Sequence, residues 1–341
     1  ERMVRTWLRS EPNPTFDLDV TFLPVPATPD AIVTAVREAA RDGQHLILCC
    51  THEAMTLAAA SVAEEVGIPI ISPSPGSVRS AEGWHVSIAS DPAEELKAIV
   101  GDAYRRGARR IAVMMMDGTE GDILLSRIPG FFGAPGLELV GRARYEPGSE
   151  TLTPEALWVA TRLPDIVIAW GSPDDARTAV ASLRARDWHG PVYLPFGATQ
   201  STSIRLPLAS EGEVRAMVPP VAVWTFLAGD EPAFEAIIES RAWAGASGIG
   251  DEAALNAARL RDALRLVDDL RNSEALTQSL EAGTVGDIRL ELARQLTSLD
   301  PRTGATGLLD PDPRIAQAGR AQGLLPVRLV NDRLQRLPDL R

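Results

Sequence analysis

Glu64-Glu65-Val66-Gly67-Ile68-Pro69-Ile70-Ile71-Ser72-Pro73-Ser74-Pro75-Gly76-Ser77 reads as the end of a helix, a glycine stop, a short apolar strand and a loop of small residues. A strand without polar alternation is buried on both faces, and one fed by a helix belongs to a parallel α/β sheet. Ligands of such sheets bind outside the carboxyl ends of the strands. Here that end carries Ser74, Pro75, Gly76 and Ser77, so the run marks a candidate binding edge as well as a fold. The same composition also makes an ordinary turn.

Outward from this run, strands and helices alternate. Upstream, the pattern predicts a short helix over 1–9, a strand over 18–23, a helix over 29–42 stopped by Gly43, a strand over 46–50 and a helix over 54–66. Downstream it predicts a helix over 91–106, opened by Asp91-Pro92 and closed by Gly107, and a strand over 110–116. A helix over 123–132, a strand over 137–145, a helix over 153–161 and a strand over 165–170 follow, then a helix over 174–186 and a strand over 192–194. Repeated β-α units with short connections imply a doubly wound parallel architecture. Past about residue 218 the pattern changes to a crossing strand over 221–225, helices over 231–242 and 251–271, a tail rich in Gly, Pro and Asp, and a last strand over 324–329.

Composition excludes several classes. The chain has 341 residues, 45% hydrophobic and 23% charged, the profile of a globular protein large enough for two domains. A net charge of −12 opposes a nucleic-acid partner, which favours a basic stripe. No apolar run approaches the roughly 18 residues of a membrane span, and no signal peptide is visible ahead of Glu1. The cysteines, Cys49 and Cys50, are adjacent; they read as small apolar residues ending a strand, or as a vicinal disulfide in an oxidising compartment. Without a Cys/His cluster at ligand spacing, neither a metal site nor a cofactor is expected. Nucleophile-elbow, phosphate-loop and dinucleotide fingerprints are missing too, so no enzyme is expected.

Four blocks together resemble a known family. They are Ala63–Ser74; Tyr104–Val113 with Asp117 and Gly121; Tyr145-Glu146-Pro147-Gly148 with Pro164–Ile168 and Gly171; and Gly190–Gly197. In this order and spacing the chain is similar to the type I periplasmic binding proteins, specifically the branched-chain amino acid and amide-binding group that serves ABC importers. The resemblance implies an α/β fold of two doubly wound parallel-sheet lobes with a hinged cleft. It places residues 1–88 and about 218–290 in the first lobe, and 89–217 and about 291–341 in the second. The family also opens with a strand and a glycine-rich loop, which do not precede the helix at 1–9 here.

Carried over position by position, the resemblance names a binding set. Thr51, His52, Glu53 and Ala54 follow the strand over 46–50, where a hydroxyl and helix-end amides meet a ligand carboxylate; Glu53 also reads as a first-turn acid. Gly76 stands where a threonine is usual, with Ser74, Pro75 and Ser77 around it. In the second lobe the usual cleft tyrosine ahead of Gly121 is Glu120, and the tyrosine after Gly171 is Ser172, beside Trp170. Trp170, at the end of an apolar strand, reads more readily as core than as a stacking platform. The acid that holds an α-ammonium is replaced by Phe196, next to Gly197. A buried ammonium without a carboxylate costs on the order of several kcal/mol. Glu120 could take over the ammonium; without it, the expected ligand is an organic or aromatic acid, or another non-standard solute, rather than a branched-chain amino acid. The implied role is an extracytoplasmic receptor, periplasmic or lipid-anchored, that hands a small molecule to an ABC permease. A cytoplasmic sensor of the same fold acting on a regulatory partner is the alternative, with an α/β hydrolase behind it.

Overall fold

The structure is a computed structural model and describes residues 1–10, 18–50, 53–73, 83–88, 92–199, 212–248, 253–309, 323–330 and 333–338. The chain divides into two compact units, Glu1–Asp91 with Pro220–Gly323, and Pro92–Pro219 with Leu324–Arg341. The last crossing thus falls after residue 323, not near 290: residues 291–323 belong with the first unit.

In the first unit, α1 (Arg2–Ser10) and α2 (Pro29–Arg41) precede β1 (Ile47–Leu48), α3 (Glu53–Val66), β2 (Ile70–Ser72) and β3 (His85–Ser87). The strands form a parallel sheet in the order β1-β2-β3, with Ile70 opposite Ile47 and His85. The apolar run now has its cause. Ile71 points into a core with Met3, Trp7, Leu264 and Leu292, while Ile68 and Ile70 pack on the other side with Val36, Ala59 and Val62. All three isoleucines are fully buried. The strand expected over 18–23 is irregular, yet Leu18, Val20 and Phe22 still pack alternately against the first of these cores.

The second unit is built on one large sheet. Its elements are α4 (Pro92–Arg105), β4 (Arg110–Met116), α5 (Thr119–Arg127), a 3₁₀ turn (Ile128–Phe131), β5 (Glu138–Tyr145), α6 (Thr153–Ala160), β6 (Ile166–Trp170), α7 (Pro173–Arg184), β7 (Val192–Leu194), α8 (Phe196–Thr199) and β8 (Val214–Val218). Five strands run parallel in the order β5-β4-β6-β7-β8. Met114 and Met115 show the pleat: successive strand side chains face opposite ways, and the two enter different cores, Met114 with Ala156 and Val180, Met115 with Ile99 and Leu124. A buried relay crosses beneath β7. The Tyr193 hydroxyl donates to Asp102 Oδ2 at 2.8 Å, and Arg106 Nε donates to the same oxygen at 2.9 Å.

After β8 the chain returns to the first unit. Residues 221–225 are not a strand but part of a 3₁₀ segment, Pro220–Phe226. Pro219 and Pro220 lack the N–H that a ladder needs, and the Val221 N–H goes to Ala305 O. Next come α9 (Pro232–Ala246), α10 (Ala254–Arg271), α11 (Glu274–Ala282), α12 (Val285–Ser298) and the hairpin β9 (Arg302–Gly304) and β10 (Gly307–Leu309). The supposed tail is therefore mainly helical up to residue 298. The last strands, β11 (Leu325–Val330) and β12 (Arg333–Arg336), add to the second unit's sheet antiparallel beyond β8, so that sheet is mixed rather than wholly parallel.

Candidate functional site

The parallel strands of the second unit run, in chain order, second-first-third-fourth-fifth across the sheet, which reverses direction between β4 and β6. That reversal is the topological switch point, and the crevice outside its carboxyl ends is where doubly wound sheets hold ligands. Met115 pairs with Trp170 there, so the segments starting at Asp117 and Gly171 leave the sheet side by side. β7 lies next to β6 and brings Phe196 and Gly197 to the same edge.

The edge is tightly packed. A β-carbon on Gly121 would stand 2.1 Å from Met116 O, so only glycine lets the first turn of α5 approach the end of β4 this closely. On Gly171 it would stand 2.1 Å from the Tyr145 hydroxyl and 2.9 Å from Asp175 Cβ. Tyr145 is buried and donates to Trp170 O at 2.7 Å. Burial, with Asp175 nearby, pushes the phenol's pKa far up, so it stays a neutral donor. Asp175 in turn accepts from Gly148 N at 2.7 Å and from the Ser172 hydroxyl at 2.7 Å. In front of them Arg144 bridges Asp117 and Asp122, pairing with Asp122 at 2.8 Å.

The sequence-derived residues divide as follows. Gly171, Ser172, Phe196 and Gly197 gather at the edge of the second unit, and Glu120 lies in the first turn of α5, its side chain outside the described set. Trp170 is 3% exposed and packs with Ile168, Tyr193 and Met217, so its ring is core rather than a stacking platform. Ser172 caps α7 in a reciprocal box with Asp175. Its hydroxyl proton is committed to Asp175, and the Asp175 N–H takes one lone pair, which leaves it a single acceptor position. Phe196 is 9% exposed, and its N–H donates to the Glu95 carboxylate from the first turn of α4. Sequence reasoning missed Glu95, although a helix antiparallel to β4 begins at the sheet's carboxyl edge.

In the first unit, α3 begins at Glu53, as expected of a first-turn acid, though its side chain is outside the described set, and Ala54 is exposed. Thr51, His52, Ser74, Pro75, Gly76 and Ser77 lie outside the described residues. Between β2 and β3, Ser72 Oγ from the last residue of β2 and His85 Nε2 from the first residue of β3 form a buried pair 3.0 Å apart. Cys49 and Cys50, read first as plain apolar residues, are joined to each other by a disulfide at the end of β1. Among the described residues no group of His, Cys, Asp and Glu could hold a metal ion.

A family model described as "Periplasmic binding protein" matches residues 27–304, most of the chain and parts of both units. The chain belongs to the periplasmic binding protein family. Solved structures agree on the fold. This binding protein is similar to an extracellular ligand-binding receptor from Rhodopseudomonas palustris HaA2, with a TM-score of 0.74 at 15% identity over 99% of this chain and 94% of that one. It is similar to a putative branched-chain amino acid ABC transporter protein from Rhodospirillum rubrum, with a TM-score of 0.68 at 19% identity over 94% and 88%. A leucine-binding protein from Thermotoga maritima gives 0.64 at 17% identity over 99% and 93%. At such identities the likeness carries the fold alone. No curated protein matches the sequence. The family gives this binding protein a solute-binding role, and no described helix is long and apolar enough to cross a membrane.

Proposed function

We propose that this protein is an extracytoplasmic receptor, periplasmic or lipid-anchored, that captures a small solute for an ABC importer and delivers it to the permease. The family match over residues 27–304 carries this reading. The Cys49–Cys50 disulfide favours an oxidising compartment over a cytoplasmic sensor. The solute is an organic or aromatic acid, or another non-standard small molecule, rather than a branched-chain amino acid. Phe196 presents an apolar ring after β7, and the acid beside it, Glu95, is engaged by the Phe196 N–H. A buried ammonium needs a carboxylate partner, and the position after Pro195 holds Phe196 instead.

The test is a thermal-shift screen of the full chain with L-leucine, L-isoleucine, benzoate, 4-hydroxybenzoate and acetamide. A solute present at 100 times its dissociation constant stabilises the folded state by about 2.7 kcal/mol, a shift such a screen resolves. Benzoate-type acids are expected to raise Tm while leucine does not. Stabilisation by leucine with none from the acids overturns the ligand class and leaves the receptor reading intact.

A further inference from the structure

β1 is shorter than its sequence. Residues 46–50 read as one apolar strand, yet only Ile47–Leu48 is strand, although the Cys49 N–H still donates to Ile71 O at 3.1 Å and prolongs the ladder with β2. Successive side chains of a strand point to opposite faces. Two adjacent strand residues therefore hold their sulfurs apart, and Cys49 and Cys50 are bonded to each other. The bond forbids both from being strand at once, so the strand stops where the bond begins. Both cysteines are half-buried at the margin of the core formed by Val36, Val62 and Ile70, within reach of a reductant. Only Thr51 and His52 separate the pair from α3.

We propose that Cys49–Cys50 is a redox-controlled stop for β1, which sets how far the ladder between β1 and β2 runs and, if the solute-binding reading holds, the carboxyl edge that the first unit offers a solute. The co-reactant is a dithiol. Its thiolate attacks one cysteine sulfur to form a mixed disulfide, and the other sulfur leaves as a thiolate and is protonated. The second reductant thiol then displaces the first cysteine, so two electrons and two protons end on Cys49 and Cys50 and the reductant leaves as its own disulfide. Freed, the side chains take opposite faces and the strand extends through residue 50.

The experiment uses the full chain purified without reductant. Iodoacetamide under denaturing conditions is expected to label neither cysteine before dithiothreitol and both after it; labelling beforehand overturns the proposal. Hydrogen exchange is then compared for the oxidised protein, the reduced protein and a Cys49→Ser/Cys50→Ser variant. Peptides spanning 47–58 are expected to change in exchange rate by about twofold or more on reduction, with the variant matching the reduced form and β4–β6 peptides unchanged. Should the variant fail to fold, the reduced wild-type chain decides alone. Identical exchange over 47–58 in oxidised and reduced protein overturns the proposal. Benzoate and L-leucine are added to both forms in a separate thermal-shift arm. If neither stabilises either form, it is the solute class that fails, while the exchange comparison still decides the redox role.

Discussion

Gly171 shows how little freedom one residue has at the carboxyl edge of the second unit. Its missing side chain makes room for the Tyr145 hydroxyl, which itself holds Trp170 O, and for the Asp175 carboxylate that orders Ser172. Gly171→Ala forces overlap with both neighbours, and overpacking of this kind costs about 1–3 kcal/mol. A Gly171→Ala/Tyr145→Phe double variant removes the nearer obstacle but leaves Asp175 Cβ at 2.9 Å, so it is expected to recover part of the loss. Urea unfolding of the single and double variants checks this; equal midpoints for Gly171→Ala and wild type would show that the edge yields freely. That a glycine ends the strand over 165–170 was legible in the sequence. Its reason was not, because Tyr145 and Asp175 meet it only after three strands and a helix have been assembled.

Elements were legible where local chemistry and burial agree. β4 and β7 were read to the residue because both are apolar runs bounded by helix stops and turn residues. β1 was read too long: it ends at Leu48, and the next two residues are Cys49 and Cys50, bonded to each other. The helices α11 and α12 were passed over, although Ser273 and Thr284 cap them and Ile288, Leu292 and Leu296 recur at helical spacing. Glycine and acidic residues around them disguised that period. α12 also braces the end of another helix: Arg289 donates to Ala40 O, in the last turn of α2, at 2.7 Å and to Gln44 O, just beyond it, at 2.8 Å. Burial first, and the Arg289 charge second, hold the pKa of His45 below its ordinary 6.5. The folded state thus favours neutral His45 while the unfolded chain takes up a proton near 6.5. This contribution to stability is complete above that value and is lost as pH falls below it through the depressed folded pKa. Arg289→Met is expected to raise the His45 pKa, read by NMR titration of its ring protons; an unchanged or lower pKa contradicts this electrostatic account.

At the scale of the molecule, the two units have separate cores, and the third crossing is the part of the division that sequence misplaced. Asp262 ties the β9–β10 hairpin, residues 302–309, to the first unit. Fully buried on α10, it accepts from Ala305 N at 3.0 Å, Thr306 N at 2.9 Å and the Thr306 hydroxyl at 2.7 Å, locking the turn of the β9–β10 hairpin. No local motif announces such a link across more than forty residues. Asp262→Ala leaves these donors unpaired, at about 1–3 kcal/mol for each that finds no other partner. Hydrogen exchange is expected to speed up in α10 and the hairpin while β4 and β6 keep their protection; uniform loss across both units would mean that they unfold as one.

The interleaving of segments also constrains how the protein is made. A growing chain emerges from the ribosome amino end first, and domains generally fold as units during synthesis. Residues 1–91 cannot complete their core until 220–323 have been translated, and the sheet begun at β4 waits for β11 to cover the side of β8. During that interval β8 is an open strand edge, the kind of surface on which chains associate wrongly. β11, translated after residues 220–323, is the strand that closes it.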